Sequence, residues 1–131
     1  MIIYAYIWWL TPVVMILYFI EEMLGSALDW YSIALGGVDL ISFYSLPENS
    51  SVAAVFSQVE SSNPKILGEG TAAFYYGEYP DGEWLGTLME IELMDGYWVV
   101  MDADGTLDVA GIPAESSIVY NLHEYTNLIS Y

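Results

Sequence analysis

WYSIALGGVDLISFY, running from Trp30 to Tyr44, decides the fold class. Two runs of aromatic and β-branched residues, Trp30 to Leu35 and Val38 to Tyr44, flank Gly36-Gly37, and a glycine pair between two such runs predicts a β-hairpin. The same grammar continues downstream. Lys65 to Tyr76 reads as a strand in which Gly68-Glu69-Gly70 marks a bulge or a close backbone approach. Tyr79-Pro80-Asp81-Gly82 is a turn and Trp84 to Leu88 a short strand, whereas the period of Met89 to Met94 fits a strand or a helical turn equally. Gly96 to Asp102 and Thr106 to Ala110 predict a second hairpin around Ala103-Asp104-Gly105, and Ile118 to His123 with Asn127 to Tyr131 a third. One helix interrupts these strands after the break at Leu46 to Asn49. Ser50 or Ser51 caps it, and Val52, Val55, Phe56 and Val59 follow at the i, i+3, i+4, i+7 spacing of one buried face until Ser61-Ser62-Asn63-Pro64 ends it. The expected class is α+β, mainly β: a small antiparallel sheet or sandwich of hairpins with one short helix.

The 131 residues have room for one compact domain. Composition divides them at residue 27. Met1 to Ile20 carries no charge, and only Thr11 and Pro12 in it fall outside the apolar and aromatic set, so residues 1–27 form a hydrophobic N-terminal segment. Twenty residues at about 1.5 Å each match a bilayer core of roughly 30 Å, which makes a transmembrane or signal-anchor helix the leading reading. No Lys or Arg precedes the run, and Pro12 would kink it, so a buried core element is the alternative. Residues 28–131 form the β-rich module.

Lys65 is the only Lys or Arg beside 18 Asp and Glu, giving a formal charge of -17. Such a chain cannot replace phosphate counterions, which excludes nucleic acid, and it is repelled by anionic membrane surfaces. With no cysteine, there is no disulfide framework, thiolate metal site or thiol nucleophile.

Asp39-Leu40-Ile41-Ser42-Phe43 is echoed by Asn127-Leu128-Ile129-Ser130-Tyr131 at an offset of 88 residues, so residues 118–131 read as the start of a second repeat. GVDLISFY (Gly37 to Tyr44), LPENSSV (Leu46 to Val52), LGEGTAA (Leu67 to Ala73), WLGTL (Trp84 to Leu88), GYWVV (Gly96 to Val100) and NLISY (Asn127 to Tyr131) stand in a recognisable order. From Trp30 to Tyr131 the chain resembles a tandem β-rich surface module of uncharacterised, often marine, secreted or cell-surface bacterial proteins and of phage structural proteins. The resemblance implies a β-rich fold in an extracellular, cell-surface or virion setting, and it brings no catalytic residues.

Candidate chemistry is sparse. Asp102, Asp104 and Asp108 in DADGTLD surround a glycine turn with the carboxylates that calcium favours, although the ligand order of an EF-hand and its distal Glu are absent and a plain hairpin turn explains the same residues. Calcium is the one cofactor this sequence suggests. Glu90 and Glu92, two apart, would share a strand face as an acid–base pair does, but a solvated face accounts for them as well. His123, the only imidazole, has neither a nucleophile elbow nor ligand spacing around it and reads as structural. Asn49-Ser50-Ser51 is a glycosylation sequon, meaningful only in a eukaryotic secretory setting. Tyr75, Tyr76, Tyr79 and Trp84, with Phe74, form an aromatic cluster suited to a partner or a carbohydrate, or to a core. Leu128 and Ile129 alternate across the terminal strand, one facing its own domain and the other a neighbour. The expected function is a non-enzymatic structural or adhesion module, assembling with other copies, neighbouring repeats or structural proteins through strand edges and aromatic patches. An acidic calcium- or carbohydrate-binding module is the alternative.

Overall fold

The computed structural model describes residues 28–130, so the readings of the hydrophobic segment at 1–27 lie outside the described residues. Among those residues no helix is long and apolar enough to cross a membrane. The strands are β1 (Asp29–Leu35), β2 (Val38–Ser42), β3 (Ser45–Leu46), β4 (Lys65–Leu67), β5 (Ala72–Tyr76), β6 (Glu83–Gly86), β7 (Gly96–Val100) and β8 (Gly105–Pro113). Between β3 and β4 lie one turn of α-helix, α1 (Val52–Val55), and a 3₁₀ segment (Ser57–Ser62). The fold is mainly β, with a three-stranded sheet β1-β8-β3 and a five-stranded sheet β2-β7-β4-β5-β6, antiparallel throughout.

The three expected hairpins do not form, and each fails for a local reason. β1 pairs with β8 and β2 with β7, so Trp30 to Tyr44 is one arm of a long ribbon whose other arm is Gly96 to Pro113. The arms bend together. Leu35 faces Gly105 and Val38 faces Val100, leaving Gly36-Gly37 opposite the four residues Met101 to Asp104, and such an unequal corner carries each arm from one sheet into the other. A two-residue hairpin turn of type I′ needs positive φ at both central residues, and only Gly37 has it, at 73°. Gly36 instead donates its N–H to Asp39 Oδ2 at 2.7 Å, and a Cβ on Gly36 would strike the Asp104 carboxylate. Likewise none of Ala103, Asp104 and Gly105 takes the left-handed conformation that a three-residue hairpin requires.

The third hairpin is replaced by a side-chain closure. Asn127 Oδ1 accepts from His123 N–H at 3.0 Å and Asn127 Nδ2 donates to His123 O at 3.0 Å, so the groups that would start a ladder are already paired. Among the described residues the tail contributes one bridge, Ile129 opposite Asp95. β2 and its echo therefore do not take equivalent places. The expected strand Lys65 to Tyr76 is split by a turn in which Gly68 N–H bonds Thr71 O at 2.9 Å and Gly70 has φ 72°. The close approach expected at Gly68 is present, since a Cβ there would lie 3.3 Å from the Tyr97 ring.

The helical face is as the spacing requires. Ser51 Oγ accepts from Ala54 N–H, and Val52, Val55, Phe56 and Val59 are all buried even though the helix tightens after Phe56. They fill the space between the sheets, against Leu35, Leu107 and Val109 of one and Ile66, Ala73, Tyr97 and Val99 of the other. Phe43 stands edge-on to both Phe56 and Tyr97, with ring centroids 6.2 and 6.3 Å away.

Tyr97 links this core to pH. Its hydroxyl accepts from Glu92 N–H at 2.9 Å, and burial first, with Asp95 and Glu92 nearby, pushes its pKa up to about 12. The folded chain holds this proton more tightly than the unfolded one, so the stabilisation is complete below the ordinary tyrosine value of 10 and is lost as pH rises towards about 12. Tyr97→Phe is expected to flatten the fall in melting temperature between pH 9 and pH 12. A fall as steep as that of the wild type would contradict this assignment.

Candidate interaction surface

Strand alternation decides what each residue of the five-stranded sheet can touch. In β5, Ala73 and Tyr75 face the core while Phe74 and Tyr76 face outward. Cross-strand register then assembles the outer face. One row runs Val38, Val100, Lys65, Phe74, Leu85, and the next runs Leu40, Trp98, Leu67, Ala72. Val38 is 62% exposed, Leu40 55% and Trp98 40%, and Tyr76 at the margin is 63% exposed. Lys65 is the one cation in these rows, and its ammonium lies 3.9 Å from Asp102 Oδ1 at the sheet corner. Glu83, opposite Tyr76, is the one acid among the outward positions of β2, β4, β5, β6 and β7.

The expected aromatic site is divided by this geometry. Tyr75 is 6% exposed and packs edge-on to Trp84, with ring centroids 5.8 Å apart, while Trp84 also leans on Phe56 and donates Nε1–H to Glu60 Oε1 at 2.8 Å. Both hold the fold together. Tyr76 and Tyr79 are exposed. In the tail, Leu128 is partly buried and Ile129 more exposed, while the buried residue is Ser130, whose Oγ donates to Phe43 O at 3.2 Å.

The three aspartates offered for calcium go to separate partners. Asp102 accepts from Asn63 Nδ2 and faces Lys65, Asp104 lies against Gly36, and Asp108 accepts from Ser32 Oγ across the β1–β8 pair. No group of three or more His, Asp or Glu side chains able to hold a metal occurs among the described residues. Glu90 and Glu92 fall in irregular chain between β6 and β7, so the strand that would align them is missing.

Val38, Leu40, Leu67, Leu85 and Trp98 were not singled out from the sequence. A signal for them existed in GYWVV and VDLIS, where apolar residues occupy both alternation classes, the pattern of a strand covered on two sides. No protein-family model, no curated protein and no solved structure matches this chain.

Proposed function

We propose that this chain is a non-enzymatic structural or adhesion module, displayed at a cell surface or on a virion, that assembles with another copy of the same fold through the outer face of its five-stranded sheet. The observation that carries the proposal is the pair of apolar rows through Val38 and Leu40, on a chain of charge -17 that has Glu83 as the one acid among the outward positions of these five strands. Five strands at about 4.8 Å spacing span roughly 20 Å, and a few residues along each give a patch of several hundred Å², the size that marks interaction sites on soluble proteins. A second copy fits it. Two such faces can stack at about 10 Å with Glu83, at the margin opposite Tyr76, as the one strand carboxylate that each brings, and the charge shells around them repel less as salt screens them. The extracellular setting is what the resemblance of Trp30 to Tyr131 to tandem surface modules adds.

Sedimentation velocity of the full chain at rising concentration and at two salt levels tests this. The wild type is expected to associate, more strongly in high salt, and the outward double substitution L40N/W98N is expected to abolish association while leaving thermal unfolding nearly unchanged. A wild type that stays monomeric throughout, or a double variant that associates as before, would refute it.

A further inference from the structure

The tail after Pro113 is fastened near its end by a small polar cluster. Glu69, in the turn between β4 and β5, accepts a hydrogen bond from His123 Nε2 through Oε1 and one from Leu128 N–H through Oε2 at 3.3 Å. The other ring nitrogen, Nδ1, lies 2.6 Å from the carbonyl oxygen of Glu124. A neutral imidazole has one N–H, so oxygen acceptors at both nitrogens call for the doubly protonated cation. Beyond the clasp the tail meets the main sheet. Gly96 N–H donates to Leu128 O at 3.1 Å and Ser130 N–H to Met94 O at 2.9 Å, which covers the backbone of Met94 to Gly96. Uncovered, those groups are an edge open to strand addition.

We propose that Glu69 and His123 form a pH-sensitive clasp, which holds the tail over Met94 to Gly96 while the imidazole is protonated and loosens it when that proton leaves. The clasp rests on the assembly reading only for its purpose, the guarding of an edge that a neighbour's strand could take. Among the described residues, four titratable groups surround the ring. Glu69 faces it from the β4–β5 turn, Asp95 and Tyr120 border the same depression of about 220 Å³, and Glu124 follows His123 in the tail. The carboxylates favour the cation, and Lys65 is engaged elsewhere with Asp102. Hydrogen bonds to the Glu124 carbonyl and then to Glu69 hold His123 above its ordinary pKa, while the bonds from His123 and then Leu128 hold Glu69 below its own.

The sign follows from linkage. The imidazole contribution is complete below the ordinary histidine value and is lost as pH rises through the raised one, and the carboxylate contribution is lost only as pH falls through the depressed Glu69 value. The clasp is therefore closed in mildly acidic solution and opens towards alkaline pH. Both groups are exposed, so the tail is loosened and the core is untouched.

The test uses dilute full-length protein and NMR. His123 gives the only imidazole signal, and its titration midpoint is expected above 6.5. Hydrogen-exchange protection of the Gly96 and Ser130 amides is expected to fall a few-fold as pH passes that midpoint. Protection at Asp102, whose N–H bonds Ser62 O, should stay constant. E69Q should lower the midpoint and remove the step, and H123Q should leave protection independent of pH. A wild-type midpoint at or below 6.5, or protection at Gly96 and Ser130 unchanged across it, overturns the clasp. Because every readout is made on the monomer, failure of the assembly reading leaves this result standing, and the converse holds too.

Discussion

Phe56→Ala is expected to lower the unfolding free energy by about 3–5 kcal/mol, the range for removing a large aromatic from a packed core. Phe56 is fully buried at the end of α1, where it meets Phe43 edge-on and Trp84 at 6.2 Å, so its removal leaves a cavity bordered by rings from β6 and from the segment after β2. Rigid aromatic rings cannot collapse into the space as a flexible methionine could. A domain of this size shifts by about 4–8 °C for each kcal/mol, so the melting temperature should drop by at least roughly 12 °C. Phe74→Ala is the control of equal chemistry. Phe74 lies on the outer face, so its loss should cost far less. Equal losses from the two substitutions in thermal unfolding would mean that the assignment of inside and outside is wrong.

The helix and the outer face show how far the sequence could be read. Val52, Val55, Phe56 and Val59 were legible because a helix repeats its buried face every three or four residues, and that spacing survives a change from α to 3₁₀ geometry. The strand positions around Trp30, Val38 and Gly96 were legible for a similar reason. Their pairing was not. Whether β1 folds back on β2 or runs on to meet β8 depends on φ at Gly36 and on the carboxylate of Asp39 reaching Gly36 N–H, and neither leaves a mark in hydrophobic pattern. The corner is thus a tertiary decision. Tyr75 and Tyr76 were named together in the aromatic cluster, yet one-residue alternation sends them to opposite sides, and register with β6 was needed to tell which. The contact of Glu69 with His123 joins residues 54 apart in sequence and has no local signature at all.

Gly86→Val is the second large effect expected, and it arises from backbone rather than from core volume. Gly86 falls inside the run Trp84 to Leu88 that reads as a short strand, but it has φ 132°, which β-branched residues essentially never adopt. That conformation aims two consecutive amides at one acceptor. Thr87 N–H and Leu88 N–H bond the carbonyl of Ala72 at 2.8 and 3.0 Å, ending β6 and turning the chain so that Leu88 enters the core. A Cβ at position 86 would overlap the Ala72 carbonyl and lie 2.9 Å from Ala73 Cα, both of them backbone that cannot swing aside. Backbone strain of about 1–3 kcal/mol and overpacking of about 1–3 kcal/mol then act together. The expected loss of about 2–6 kcal/mol in denaturant unfolding is a large share of the 5–15 kcal/mol typical of a folded domain. Gly70→Ala separates the two causes. Gly70 also has positive φ, at 72°, but nothing lies within 4 Å of a Cβ built there, so only the strain contribution applies and the loss should stay near 1 kcal/mol. If Gly86→Val unfolds no more easily than Gly70→Ala, the close approach of β5 and β6 at Ala72 is not what holds the end of β6 in place.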